Sequence, residues 1–266
     1  MQPFSLPRPD DQRFCLFHPA AGNGATGAVL YIHPFAEEMN KARRMVALQA
    51  RALAATGYDV LQLDLLGCGD SSGDFIDASW QAWRDDVCEA VGALRQRSAA
   101  PLILWGLRAG CLLAAEAAAK LTEPADFIFW QPVVSGKPHW QKFVRLKMAG
   151  ELASGQAKAV GEQLRQQLAA GQPVEIAGYG VAPALAAGLE QAELKPPPGS
   201  GRVVWRETSL RDEATLAPVS QKRIEQWQAA GYDVDASVVR GPAFWQTTEI
   251  KDAPELIAAT LDGLVV

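Results

Sequence analysis

Histidine is scarce: the chain has only His18, His33 and His139, and none follows residue 139. Cysteine is scarce too, and Cys15, Cys68, Cys88 and Cys111 form no C-x-x-C pair. Neither a zinc site nor a disulfide framework is therefore indicated, so free thiols in a reducing compartment are expected, with no metal and no cofactor. No stretch reaches the ~18 uncharged apolar residues of a membrane span, and the N-terminus lacks a basic-then-apolar leader pattern. A cytoplasmic protein with no transmembrane segment is expected. No dense Lys/Arg run is present and the formal charge is -5, so the chain is not built to neutralise a row of phosphates. Nucleic acid is excluded as an expected partner.

What is there is apolar and alternating. With 266 residues and 48% hydrophobic content the chain can bury one large core. Arg13–His18, a Gly-rich turn over 21–27 and the apolar run Ala28–His33 predict a hairpin-like start. Strands are then predicted at Tyr58–Asp64, Pro101–Gly106, Ala125–Trp130, Arg202–Arg206 and Val234–Val239, separated by helices such as Lys41–Thr56, Ser79–Arg97 and Cys111–Leu121. Continuous apolar strands joined by amphipathic helices mean an α/β fold, a mostly parallel, doubly wound sheet covered on both faces.

Between Gln131 and Arg202 lie about seventy residues, too many for a simple connection. His139–Ala153 and Gln156–Ala170 read as helices, Val174–Gly188 is rich in Ala and Gly, and Pro196–Gly201 reads as a linker. The expected organisation is a core of residues 1–137 and 202–266 with a helical cap insertion over 138–201. Ligands in open α/β sheets bind beyond the carboxyl ends of the strands, so the cap would wall a pocket there.

The most informative segment is Pro101-Leu-Ile-Leu-Trp-Gly-Leu-Arg-Ala-Gly-Cys-Leu-Leu-Ala-Ala, a buried strand, a tight turn and an Ala/Leu-rich helix. This is the setting of the G-x-S-x-G nucleophile elbow of the α/β-hydrolase fold, with Gly106 and Gly110 as the small flanking residues. Arg108 occupies the centre. A guanidinium stays protonated at physiological pH and cannot attack a carbonyl, so serine-type acyl-enzyme chemistry is excluded at this position. After the last strand, where the fold's histidine belongs, the chain reads Val238-Val-Arg-Gly-Pro-Ala-Phe-Trp-Gln, with Phe244 and Trp245 at the expected place. The acid position offers Asp212 or, less well placed, Glu207; such loop carboxylates are as often simply solvated.

The remaining signatures fit the same fold. Asp64-Leu-Leu-Gly-Cys-Gly-Asp-Ser-Ser-Gly73 resembles a loop common in α/β-hydrolases, with Asp64 as its anchor. His33-Pro-Phe-Ala-Glu-Glu-Met-Asn-Lys41 occupies the place of the loop that lends an oxyanion-hole amide, although Pro34 removes one donor. His33 is a functional candidate or a structural hydrogen-bonding residue, and Glu37, Glu38, Arg43 and Arg44 form a site or a solvated helix start. At a helix N-terminus the Arg108 charge should seek Glu37, Glu38, Asp64, Asp212 or an anionic ligand. Cys111 and Cys68 are the alternative nucleophiles, each requiring His33 or His139 beside it. Trp105, Trp130, Trp140, Trp205 and Trp245 line a pocket or belong to the core.

Through the His33–Lys41 loop, the Gly106–Gly110 elbow and the Gly241-Pro-Ala-Phe-Trp245 segment, the whole chain resembles the exosortase A system-associated hydrolase 2 family. That resemblance implies the hydrolase fold, a cytoplasmic location and an association with envelope protein sorting or exopolysaccharide production. The leading expectation is a hydrolase fold that binds a small anionic or acyl-bearing ligand, or a protein partner of the exosortase system. The ligand would sit among Arg108, His33, Phe35, Glu37, Leu107, Ala109 and Trp245. The alternatives are an esterase, thioesterase or acyltransferase with unorthodox catalytic residues, and a pure interaction module.

Overall fold

The computed structural model describes residues 1–9, 11–150 and 157–265. Six parallel strands form the body of an eight-stranded sheet. In chain order the strands are β1 (Gln2–Pro7), β2 (Gln12–His18), β3 (Gly27–Ile32), β4 (Tyr58–Leu63), β5 (Leu102–Leu107), β6 (Ala125–Trp130), β9 (Gly201–Ser209) and β10 (Tyr232–Arg240). Their order across the sheet is β1-β2-β4-β3-β5-β6-β9-β10. β1 and β2 are antiparallel to their neighbours and all other pairings are parallel. β3 and β5 are buried along their whole length, which explains why they read as unbroken apolar runs.

The two faces are covered by helices α1 (Glu37–Ala55), α2 (Trp80–Arg95), α3 (Gly110–Ala118), α7 (Pro218–Ala229) and α8 (Pro254–Leu264). α2 begins where Ser79 accepts a hydrogen bond from the Ala82 amide, and it buries the stripe Trp80, Trp83, Val87, Val91 and Leu94. On the same buried face Asp86 accepts from Arg13 Nε at 2.8 Å and from the Leu66 amide at 2.8 Å, tying β2 and the loop after β4 to the helix. Two core clusters result, one on each side of the sheet.

Between β6 and β9 the chain forms α4 (Gly136–Gly150), α5 (Ala157–Ala169), the short antiparallel pair β7 (Val174–Ile176) and β8 (Tyr179–Val181), and α6 (Pro183–Gln191). The helices expected at 139–153 and 156–170 correspond to α4 and α5, although residues 151–153 and 156 lie outside the described set. The 174–188 segment, read as rich in Ala and Gly, supplies β7, β8 and most of α6. The insertion is seated through Phe143 against Phe35 and through Tyr179 against Phe75.

The hairpin expected over 13–33 is corrected. β2 pairs antiparallel with β1 and β4, and β4 lies between it and β3. β3 is paired along both edges, parallel to β4 on one and to β5 on the other, so no edge of β3 is left for β2. The first helix also starts four residues earlier than the expected Lys41, because Glu37 and Glu38 fill its first turn, where the helix dipole favours carboxylates.

Candidate functional site

At the carboxyl end of β5 the chain turns sharply into α3. Arg108 sits on the bend with φ +55°, a left-handed conformation that costs a side-chain-bearing residue about 1–2 kcal/mol. The neighbouring strands hold it there: the Arg108 amide donates to Trp130 O at 3.0 Å and its carbonyl accepts from the Val133 amide at 3.2 Å. The bend needs glycine on both sides. A Cβ at Gly106 would stand 2.6 Å from Cys111 Cα, and one at Gly110 would stand 2.3 Å from Ile32 O. Gly110→Ala therefore forces α3 away from β3, and we expect it to lower the unfolding free energy by about 1–3 kcal/mol in thermal or denaturant unfolding.

The Arg108 side chain is largely buried. Its Nε donates to Glu38 Oε1 at 3.3 Å, its Nη1 donates to Gln131 O at 3.2 Å, and its Cζ lies 5.4 Å from the centroid of the Trp245 ring. Of the four carboxylates expected to compete for this cation, Glu38 is the partner. Asp64 instead accepts from the Asp70 amide and from Arg43, and Asp212 is exposed in an ion pair with Arg240. Burial pushes the Glu38 carboxyl above the usual range, and the Arg108 charge only partly offsets it. Glu207, the other acid candidate, is buried and accepts from Trp205 Nε1 at 3.0 Å.

Next to this pair, beneath α4, lies a cavity of about 220 Å³. Phe35, Glu37, Glu38 and Lys41 wall it from the turn after β3 and the start of α1. His139, Lys142, Phe143 and Leu146 close it from α4, and Gln246 completes it. Phe35 meets Phe143 edge-on at 5.1 Å and His139 at 6.2 Å. With its amide oriented to satisfy both neighbours, Gln246 accepts from Trp245 Nε1 and from Lys142 Nζ, each at 2.9 Å. Burial, reinforced by the charges of Arg108 and Lys142, pushes the His139 imidazole down to about 3, so it is neutral at physiological pH.

The structure thus gathers Arg108 and Trp245 into one cluster and places Phe35 and Glu37 on the adjoining cavity. Leu107 and Ala109 are buried in the core and do not line the cavity. His33 is also elsewhere: it is buried, its Nδ1 lies 2.7 Å from Pro34 O and its Nε2 accepts from the Leu65 amide at 3.3 Å. Its Nε2 holds the end of β3 to the loop after β4, and its Nδ1 is occupied locally. Cys111 is fully buried and Cys68 nearly so, and burial raises both thiols well above their ordinary range. Lys41, His139, Lys142, Phe143, Leu146 and Gln246 were absent from the expected ligand set. The spacing 139, 142, 143, 146 marks one face of a helix, a signal present in the sequence that does not say what the face covers. Among the described residues no group of three or more His, Cys, Asp or Glu side chains is placed to hold a metal ion, and no helix is long and apolar enough to cross a membrane.

Among solved structures the chain is similar to Est1E from Butyrivibrio proteoclasticus with ferulic acid bound (TM-score 0.65, 13% identity, 97% of this chain and 96% of that one). It is also similar to a soluble variant of monoglyceride lipase from Saccharomyces cerevisiae in complex with a substrate analogue (0.60, 15%, 97% and 92%). A third similar structure is mouse alpha/beta hydrolase domain-containing protein 10 (0.59, 15%, 100% and 98%). At these identities the likeness establishes the fold. No curated protein sequence matches the chain. The family model described as serine aminopeptidase, S33 matches residues 24–186, well over half of the sequence and including the elbow, so the chain belongs to that family of the α/β-hydrolase superfamily.

Proposed function

We propose that this chain is a hydrolase-fold pseudoenzyme, a binding protein that has given up serine-hydrolase chemistry and holds a small ligand in the cavity beneath α4. The observation that carries this reading is the Arg108–Glu38 pair on the elbow with Trp245 against it. A nucleophile, its base and an open approach to both are what the mechanism requires, and here an ion pair and an indole fill those places. The cavity itself supports an acyl-bearing or anionic ligand: Phe35, Phe143 and Leu146 offer apolar contact, and Lys41 and Lys142 offer positive charge. The division into a core of 1–137 and 202–266 around a cap of 138–201 belongs to this proposal. So does a cytoplasmic role beside an exosortase or exopolysaccharide system, with a protein of that system as the second partner; these rest on the resemblance of the loop, elbow and Gly241–Trp245 segments.

The test is direct. The purified protein should neither react with a fluorophosphonate probe nor turn over short p-nitrophenyl esters or acyl-thioesters, and Arg108→Ser alone should not create turnover, because Trp245 supplies no base. Stoichiometric labelling of a serine, with loss of ester turnover when that serine is changed, would overturn the proposal.

A further inference from the structure

Two carboxylates in the cavity wall each have one oxygen that no described residue satisfies. Glu38 is 5% exposed; its Oε1 takes Arg108, and its Oε2 is buried with no hydrogen-bond partner among the described residues. Glu37 Oε2 is in the same condition. A buried acceptor left unpaired costs about 1–3 kcal/mol, more when charged, so the wall calls for a donor from outside the chain. The cations of the cavity do not answer that call. Lys142 donates to Gln246 and Lys41 is exposed, and neither forms an ion pair with Glu37 or Glu38. His139, neutral and facing Phe35, adds no charge.

The charges are also sorted by depth. Glu38 is buried and Glu37 half-buried, whereas Lys41 and Lys142 are exposed at the mouth. Phe35 and Phe143 are buried between them, with Leu146 toward solvent. Two acidic and two basic side chains around an apolar middle match a ligand that is neutral overall but carries both signs. The volume, about 220 Å³, is that of roughly seven liquid waters, the size of a single amino acid rather than of a long acyl chain.

Building on the binding role above, we infer that the cavity takes a zwitterion of amino-acid size with an apolar side chain. Its ammonium group satisfies Glu37 and Glu38 at the inner end, and its carboxylate faces Lys41 and Lys142 at the mouth. The apolar side chain packs on Phe35 and Phe143. Charge-assisted bonds at both ends fix the orientation, and the aromatic wall rejects polar side chains.

Isothermal calorimetry at pH 7 on the full chain with leucine, N-acetylleucine and hexanoate separates the possibilities. Leucine should bind, N-acetylleucine should bind at least about tenfold more weakly because its nitrogen carries no charge, and Glu37→Gln should weaken leucine by about tenfold while leaving hexanoate unchanged. Equal binding of leucine and N-acetylleucine, or tighter binding of hexanoate, would overturn the amine assignment and leave the binding role standing. Absence of binding by leucine would overturn it as well, whereas the binding role itself falls on fluorophosphonate labelling, a separate measurement. Circular dichroism of Glu37→Gln guards against misreading an unfolded variant.

Discussion

Replacing Glu38 by alanine should lower the unfolding free energy by about 3–5 kcal/mol, and replacing Arg108 by alanine should lower it by distinctly less. The asymmetry follows from what each residue leaves behind. Without Glu38, the Arg108 guanidinium keeps its charge under all conditions, is held by the left-handed bend, and retains only the Gln131 carbonyl and the Trp245 ring. Without Arg108, Glu38 loses its cation but has an escape. Burial already raises its carboxyl above the usual range, so it takes up a proton and sheds its charge. Urea unfolding of the two variants at pH 7 measures both values, and repeating it at pH 5 should narrow the Arg108→Ala deficit and leave that of Glu38→Ala in place. Equal losses at both pH values would mean that the pair is not what holds the elbow closed.

How much of this was legible in the residues varies by scale. The sheet was, because β5 is apolar on both faces and such runs alternate with amphipathic helices, the pattern of a doubly covered parallel sheet. The elbow was also legible, since its spacing records a steric fact: only glycine fits at 106 and 110. The order of the strands was not. β2 and β3 are successive in the chain and separated by a Gly-rich turn, which is the local signature of a hairpin, yet β4 enters between them from forty residues away. The partner of Arg108 was narrowed by charge to four carboxylates, and choosing Glu38 required knowing that β3 lies beside β5, so that the first turn of α1 opens next to the bend. The cavity was least legible. Half of its wall comes from α4, whose face is written at helical spacing, but an amphipathic pattern names the residues that are covered and not what covers them.

That face also carries a group sensitive to acid. His139 is held neutral down to about pH 3, whereas in the unfolded chain it takes a proton near 6.5. Above pH 6.5 both states are neutral and the residue has no effect on stability. As the pH falls from 6.5 toward 3, the unfolded state gains a proton that the folded state refuses, and stability is lost at up to roughly 1.4 kcal/mol per pH unit. Below about 3 the loss is complete and no longer grows. The physical cause is burial against Phe35, with Arg108 and Lys142 adding repulsion to any charge placed on the ring. His139→Phe keeps an aromatic body in the same place and removes its titration, so stability should fall less steeply from pH 6.5 to 4 than in the parent, the remaining decline coming from His18 and His33, whose imidazoles burial also lowers. Chemical denaturation at half-unit pH steps distinguishes the two. Parallel curves would mean that the imidazole is protonated in the folded protein and that the cavity is wetter than its lining implies. Because an ammonium ligand is paired with Glu37 and Glu38 and not with the ring, saturating leucine should raise both curves by the same amount at pH 7, which separates the acid sensitivity of the cap from the occupancy of the cavity.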